Sequence, residues 1–282
     1  MAAVFRSKLS TSVASVNPSL DTSVLFDATY VEGTGSPIDE FLMRLVAINQ
    51  LAPPPAAFNP LQAQLVLLGV IAAVESYLRA ILRRLIAMDS ICQESVHRRD
   101  VSYGAAIHLT KDMLPEAVLE KISFISKGSI VDSIRELAGI KGNLPPDVTA
   151  SIDDYVKICH LRHCAVHRFG KLGVSNAIAL GLEDHKELLE KPLLLDYLSL
   201  QNSIVISTGM VKTINNFLFN EIVSRISDSR WTGVYKTDKR LFLTYYKIFA
   251  DTISTTGFSV GLKDMYILFM SQKAKFSAGL PF

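Results

Sequence analysis

A chain of 282 residues, 49% hydrophobic and 20% charged, has the apolar mass for a sizeable core, which excludes wholesale disorder. Its formal net charge of +2 is nearly neutral, so binding to nucleic acid must come from a local basic patch rather than a generally basic surface. Three cysteines without a spaced framework argue against a disulfide-built fold and favour a reducing, cytoplasmic setting.

The first twenty residues hold Arg6 and Lys8, many Ser and Ala, and no acid up to Asp21, loosely like a transit peptide. Lacking an amphipathic stripe, they read instead as an arm or irregular edge segment. Pro37 to Gln50 is expected to be a helix, with Phe41, Leu42, Leu45 and Val46 on one side, broken by Pro53-Pro54-Pro55. Asn59-Pro60 opens the next helix with a capping side chain and Pro at its first position. This helix runs to about Met88 and is apolar on nearly every side, which predicts burial in the middle of a bundle. Its longest apolar run, Leu65 to Val74, is too short to span a bilayer and is followed by Glu75, Arg79, Arg83 and Arg84, so no membrane contact is expected.

A polar, basic segment with His97, Arg98, Arg99, Tyr103 and His108 follows, then short helices over Pro115 to Ser126 and Ser129 to Ala138. Gly139 to Pro146 reads as a loop, and Asp147 or Ser151 as the cap of the helix that carries Arg162. Gly170 and Gly173 end that helix just past His167, and another long helix is expected over Pro192 to Arg225. Beyond Asp228, Trp231, Tyr235, Tyr245 and Tyr246 lie among Lys236, Lys239, Arg240 and Lys247. Helices over Lys239 to Ala250 and Leu262 to Lys273 form a hairpin there. It reads as a docked helical pair, a helix-turn-helix-like module, or an RNA-facing surface of aromatic and basic residues. No strand alternation or internal repeat is visible. The expected fold is all-α, in three segments: an arm and first helix over 1–52, a helical domain over 53–226, and a helical extension over 227–282.

The chemistry concentrates in His160-Leu161-Arg162-His163-Cys164-Ala165-Val166-His167-Arg168-Phe169-Gly170. An arginine holds a phosphate through a fixed fork of donors and keeps its charge. A histidine takes or gives a proton near neutral pH. Together they suffice to cleave RNA without a metal or cofactor, because the 2′-hydroxyl supplies the nucleophile; DNA lacks it. At about 100° per residue, Tyr155, Ile158, Leu161, Ala165 and Val166 share one helix face with Arg162 among them. His160, His163, Cys164 and His167 cluster on the other side. A charge on an apolar face is costly unless it is paired or functional.

The run Leu65-Val66-Leu67-Leu68-Gly69-Val70-Ile71-Ala72-Ala73-Val74-Glu75-Ser76-Tyr77-Leu78-Arg79, followed further along by the Arg162 to Gly170 stretch, resembles the HEPN superfamily, in particular its RiboL-PSP-like branch. The resemblance covers about Asn59 to Arg225 and implies an all-helical bundle acting as an endoribonuclease. It further implies a homodimer in which two Arg/His sets face each other, with products ending in a 2′,3′-cyclic phosphate and a 5′-hydroxyl. Arg162 and His167 occupy the catalytic places, and His163 the polar position after the arginine, where the family more often has Asn or Asp. Glu75 falls where the early helix supports the site, and it is expected to pair with Arg162 or another basic group. Arg168 and Lys171 are candidates for contact with RNA. The resemblance also implies a toxin or antiviral-defence role, held silent by an antitoxin or another defence-system partner.

Two other readings stand beside this one. His160, His163, His167 and Cys164 are ligand types for zinc, although three ligands from one helix converge poorly. Alternatively, Arg162 pairs with Glu75 in a non-catalytic interaction or RNA-binding module, and the histidines are merely solvated.

Overall fold

The computed structural model describes residues 7, 9–13, 18–254 and 261–281. By packing it divides into two compact units, 1–34 and 35–282. The first unit, as far as it is described, carries one short 3-10 turn, Ser23–Leu25, and no buried residue. Part of the expected arm falls outside the described residues.

The second unit is all-helical; its described residues form eleven α-helices and no strand. Helix α1 (Pro37–Asn49) opens on Ser36, whose hydroxyl accepts the Asp39 N–H at 3.2 Å and so caps the first turn. A 3-10 turn over Pro55–Ala57 leads to α2 (Pro60–Met88), capped by Asn59 through the N–H groups of Leu61 and Gln62. The capping and proline signals of the sequence therefore set both starts. Val70, Val74, Leu78, Ile81, Leu82 and Leu85 of α2 are fully enclosed, whereas Leu61, Leu65 and Ala72 are exposed. Helix α2 is thus central, as expected, but one flank is bare along its N-terminal half. By length and composition alone α2 could cross a membrane, and 56% of its most apolar window is buried inside the fold.

The segment after α2 is more helical than its polar composition suggests. It holds α3 (Ser90–Val96), α4 (Tyr103–His108) and α5 (Leu114–Leu119), the last much shorter than the helix expected from Pro115. Helix α6 (Lys127–Leu137) follows, then α7 (Pro146–Arg168). Helix α7 starts with proline and no side-chain cap, so that of the two expected caps Asp147 lies in its first turn and Ser151 more than a turn inside it. Helix α8 (Val174–His185) breaks at Gly181, whose φ of 108° only glycine adopts readily. Helix α9 (Tyr197–Ser224) is capped by Asp196 and starts five residues after Pro192, so the long helix expected from Pro192 is shorter. Two further helices, α10 (Tyr235–Phe249) and α11 (Leu262–Ser277), close the chain as the expected hairpin.

Helix α9 packs on α7 and α2, while α10 packs on α9 and α11. The ends of α1 and α10 are tied: the Ser36 hydroxyl donates to the Ala250 carbonyl at 2.6 Å, and Asp39 accepts from Thr252 N–H and hydroxyl at 2.8 and 2.7 Å. Phe41 and Leu45 of α1 and Phe242 and Phe249 of α10 belong to the same apolar core as α2. Packing separates the chain between Thr34 and Gly35.

Candidate active site

Helix α7 presents the Arg162 to His167 stretch in its last two turns. Its buried residues are Val148, Ile152, Tyr155, Ile158, Cys159 and Cys164. The apolar face is thus rotated from the expected one: Cys164 is inside at 2% exposure, and Val166 is outside at 45%. The reason is tertiary. The C-terminal half of α7 has α8 and the segment around Leu193 on one side, and a cavity of about 240 Å3 lined by Leu161, Cys164, Leu180, His185 and Lys191 lies there.

His163 and His167, one turn apart, are exposed, and their rings lie 4.6 Å centroid to centroid at an interplanar angle of 47°. His160 is half-buried and turned to α8, with Nδ1 3.1 Å from Oδ1 of the buried Asn176. The histidines therefore divide into one structural residue and one exposed pair. Cys164 has gone into the core, and among the described residues no group of three or more His, Cys, Asp or Glu is arranged to hold a metal ion.

Arg162 is half-buried, and among the described residues its side chain makes no ion pair or hydrogen bond. It lies near enough to act electrostatically on Tyr155, Cys159 and His163. Partial burial, followed by the charges of His167, Arg162 and His160, holds the His163 pKa below the usual imidazole value. The shift favours the neutral form of His163.

Arg162 acts electrostatically on a small set of polar side chains in the core. The Tyr155 hydroxyl is buried without a well-formed hydrogen bond, beside the Cys159 thiol. Burial pushes both acids up, Cys159 to about 12. Glu75 of α2 reaches the same neighbourhood, since it too raises Tyr155 and Cys159. The expected ion pair between Glu75 and Arg162 is not formed. Glu75 Oε1 instead accepts the backbone N–H of Phe124 at 3.1 Å, in the turn between α5 and α6. That amide lies outside any helix, so the carboxylate satisfies a donor that burial would otherwise strand.

Past His167 the chain turns abruptly. Phe169 adopts φ 50° and ψ 45°, left-handed values uncommon for a bulky residue, and its side chain is 82% exposed. Gly170 follows at φ 89° and donates to the Cys164 carbonyl at 3.0 Å, closing the helix end. The turn is clamped to the segment before α9: Leu172 N–H to the Lys191 carbonyl at 3.0 Å, and Leu193 N–H to the Gly170 carbonyl at 2.8 Å. Arg168 is ion-paired with Glu190 across this clamp, whereas Lys171 is exposed. Of the two candidate RNA contacts, Arg168 therefore also has a structural task.

Gln64 of α2 packs against Gly170 and donates to the Leu193 carbonyl at 3.1 Å, so the start of α2 lies beside the end of α7. Leu61 and Leu65 flank Gln64 on α2 and are 49% and 61% exposed, at least as bare as Val166 on α7 at 45%. Phe169 and this apolar surround escape a motif-based reading; their only sequence signal is an aromatic where a helix end usually carries glycine. The chain matches no protein-family model, and neither curated proteins nor solved structures include a match to it.

Proposed function

We propose that this protein is a metal-independent endoribonuclease of the HEPN type, acting as a homodimer. The observation that carries the reading is the juxtaposition of an unpaired, half-buried arginine with two exposed histidines whose rings lie 4.6 Å apart on the last turns of one helix. A charge left without a partner in a folded protein is free to take one from a ligand. Arg162 binds the scissile phosphate and offsets the charge that grows on it. His167 carries the proton, as base toward the 2′-hydroxyl or as acid toward the departing oxygen. His163 orients them. The 2′-oxygen forms a bond to phosphorus as the bond to the 5′-oxygen breaks, and the proton lost by the nucleophile is balanced by one given to the leaving group. The products are a 2′,3′-cyclic phosphate and a 5′-hydroxyl.

The dimer supplies what one helix does not. Arg162 and His167 lie about 140° apart around α7, so two copies facing one another bring an arginine of one and a histidine of the other to one phosphate. The exposed Leu61, Leu65 and Val166 beside the motif give that second copy an apolar seat. The biological setting proposed is toxin or antiviral defence in the cytoplasm, with an antitoxin or other partner restraining the enzyme.

The test is incubation of the purified chain with total RNA in excess chelator, followed by mapping of the cut ends. Cleavage with cyclic phosphate ends, lost in both Arg162→Ala and His167→Ala, is the expected result. Cleavage by His167→Ala at the wild-type rate would falsify the assignment.

A further inference from the structure

Helix α10 is amphipathic in an unusual way. Its inward side carries Phe242, Tyr245, Ile248 and Phe249, all buried. The opposite side carries Lys236, Lys239, Arg240 and Lys247, all exposed. At 100° per residue these four cations fall within a stripe about 100° wide, centred directly away from the core and about 16 Å long. Among the described residues, none of the four forms an ion pair or a side-chain hydrogen bond. The only acid in the helix, Asp238, is on the buried side. There burial opposes its ionisation, but the Tyr266 hydroxyl at 2.6 Å and the Thr232 hydroxyl at 2.8 Å keep its pKa low. Its charge is therefore committed to the core and does not offset the stripe.

A solvated helix face ordinarily mixes signs, because neighbouring like charges at i, i+4 repel and opposite ones attract. Lys236 and Arg240 are such a like pair, one turn apart. In a chain with a net charge of only +2, four uncompensated cations in one stripe form a concentrated local field.

The aromatic residues of this region point elsewhere. Trp231, Phe242, Tyr266 and Phe269 pack on one another, with ring centroids 5.2 to 6.5 Å apart. Tyr245 is buried as well. Among the described residues no fully exposed aromatic ring lies between the four cations; Tyr235 and Tyr246, both half-buried, border the stripe on one side, so the expected mixed aromatic and basic surface is mainly cationic. Such a surface reads phosphates and not bases.

We infer that the outer face of α10, through Lys236, Lys239, Arg240 and Lys247, is a second RNA-docking surface that holds the sugar–phosphate backbone without regard to sequence. The choice of RNA among polyanions rests on the ribonuclease reading above; the cationic surface itself does not. The surface tethers a long substrate while the Arg162 site acts on a single phosphate.

The experiment measures binding of the full-length wild-type chain to fluorescent single-stranded RNA carrying 2′-O-methyl groups throughout, which removes the nucleophile and prevents cleavage. Affinity is recorded against salt for oligo-U and oligo-A. Each phosphate contact on a single strand contributes a slope of about 0.7 in log affinity against log salt. Replacing all four cations by Gln is expected to lower the slope by up to about 3, equally for both sequences, with the thermal melt unchanged. Two double variants, Lys236→Gln with Arg240→Gln and Lys239→Gln with Lys247→Gln, each lower it by about 1.4 and serve if the quadruple variant does not fold. Lysine-to-arginine variants keep the slope. An unchanged slope in the folded variants overturns the inference, as does a loss confined to oligo-U or oligo-A. A wild-type chain whose stripe binds polyglutamate or phosphatidylglycerol vesicles in preference to RNA also overturns it. If RNA binding follows the expected slopes but no natural RNA is cut, the surface stands and the ribonuclease reading falls. If RNA is cut but the slope ignores the stripe, only the surface falls.

Discussion

Two arginines of this molecule sit at similar depth and are treated in opposite ways. Arg225, at the end of α9, fans its guanidinium over the Asp89 carboxylate, the Ala138 carbonyl at 2.6 Å and the Cys92 sulfur at 3.2 Å. It ties α9 to the caps of α3 and α6, where helix ends leave carbonyls in need of donors. Arg162, near the end of α7, has none of this: no carboxylate or carbonyl among the described residues meets it, and the nearby Glu75 is taken by a backbone amide. In Arg225 both terminal nitrogens of the guanidinium are engaged by internal partners. A guanidinium that is held beside two exposed histidines with its donors free is suited to an anion that comes and goes. Arg79 and Arg84 follow the Arg225 pattern, donating to the carbonyls of Leu119 and Gly35.

The sharpest way to break this contrast is to remove each arginine in turn. Arg162→Ala, like His167→Ala, is expected to lower RNA cleavage by a hundredfold or more. Its folding stability, read by urea unfolding, should stay within about 1 kcal/mol of wild type, because no internal partner is stranded. Arg225→Ala should do the reverse, costing about 3 kcal/mol of stability, since it leaves the Asp89 carboxylate and the Ala138 carbonyl buried without their donor. A larger stability loss for Arg162→Ala than for Arg225→Ala would dissolve the distinction.

The turn beside His167 offers a smaller effect of opposite sign. Phe169 holds a left-handed conformation that costs an L-residue about 1 kcal/mol or more, and its ring, 82% exposed, recovers little by burial. Phe169→Gly should therefore stabilise the isolated chain by roughly 1 kcal/mol in urea unfolding. A stabilised variant that cleaves RNA less well would show that strain is kept at the site for use; a destabilised one would mean that the ring packs in solution.

The finest test concerns His163. Its pKa is held below the usual 6.5 by partial burial and then by the charges of His167, Arg162 and His160. Removing a cation relieves that repulsion, so Arg162→Ala and His167→Ala should each raise the His163 midpoint, followed by NMR titration of the ring. The sign for stability follows from the lowered value. The unfolded chain binds the proton more readily, so the contribution of His163 is fully present above pH 6.5 and is lost as pH falls through the lowered folded value. A midpoint indifferent to both substitutions would separate His163 from the other two residues.

Much of the fold was legible in local signals. Ser36-Pro37 and Asn59-Pro60 mark two helix starts because a capping oxygen and a proline at the first position satisfy the same orphan groups wherever they occur. The all-α class follows from helical periodicity and the want of alternation. The short helices α3 and α4 were not legible, because seven and six residues carry too little periodicity to stand out from a polar segment. Nor was α8, where Gly181 interrupts the pattern.

At the candidate site, the sequence by itself determined that Arg162, His163 and His167 share the last turns of one helix, and that His163 and His167 lie on the same side of it, since residues i and i+4 are neighbours on a helix surface. Tertiary structure alone decided the rest. It rotated α7 so that Cys164 went inside and Val166 outside, turned His160 toward Asn176, and gave Glu75 the Phe124 amide instead of Arg162. Spacing along a helix fixes the angle between side chains, but not which of those angles meets a neighbouring helix. That choice is made by packing among α2, α7, α8 and α9, whose contacts join residues far apart in the chain and leave no trace in any one segment.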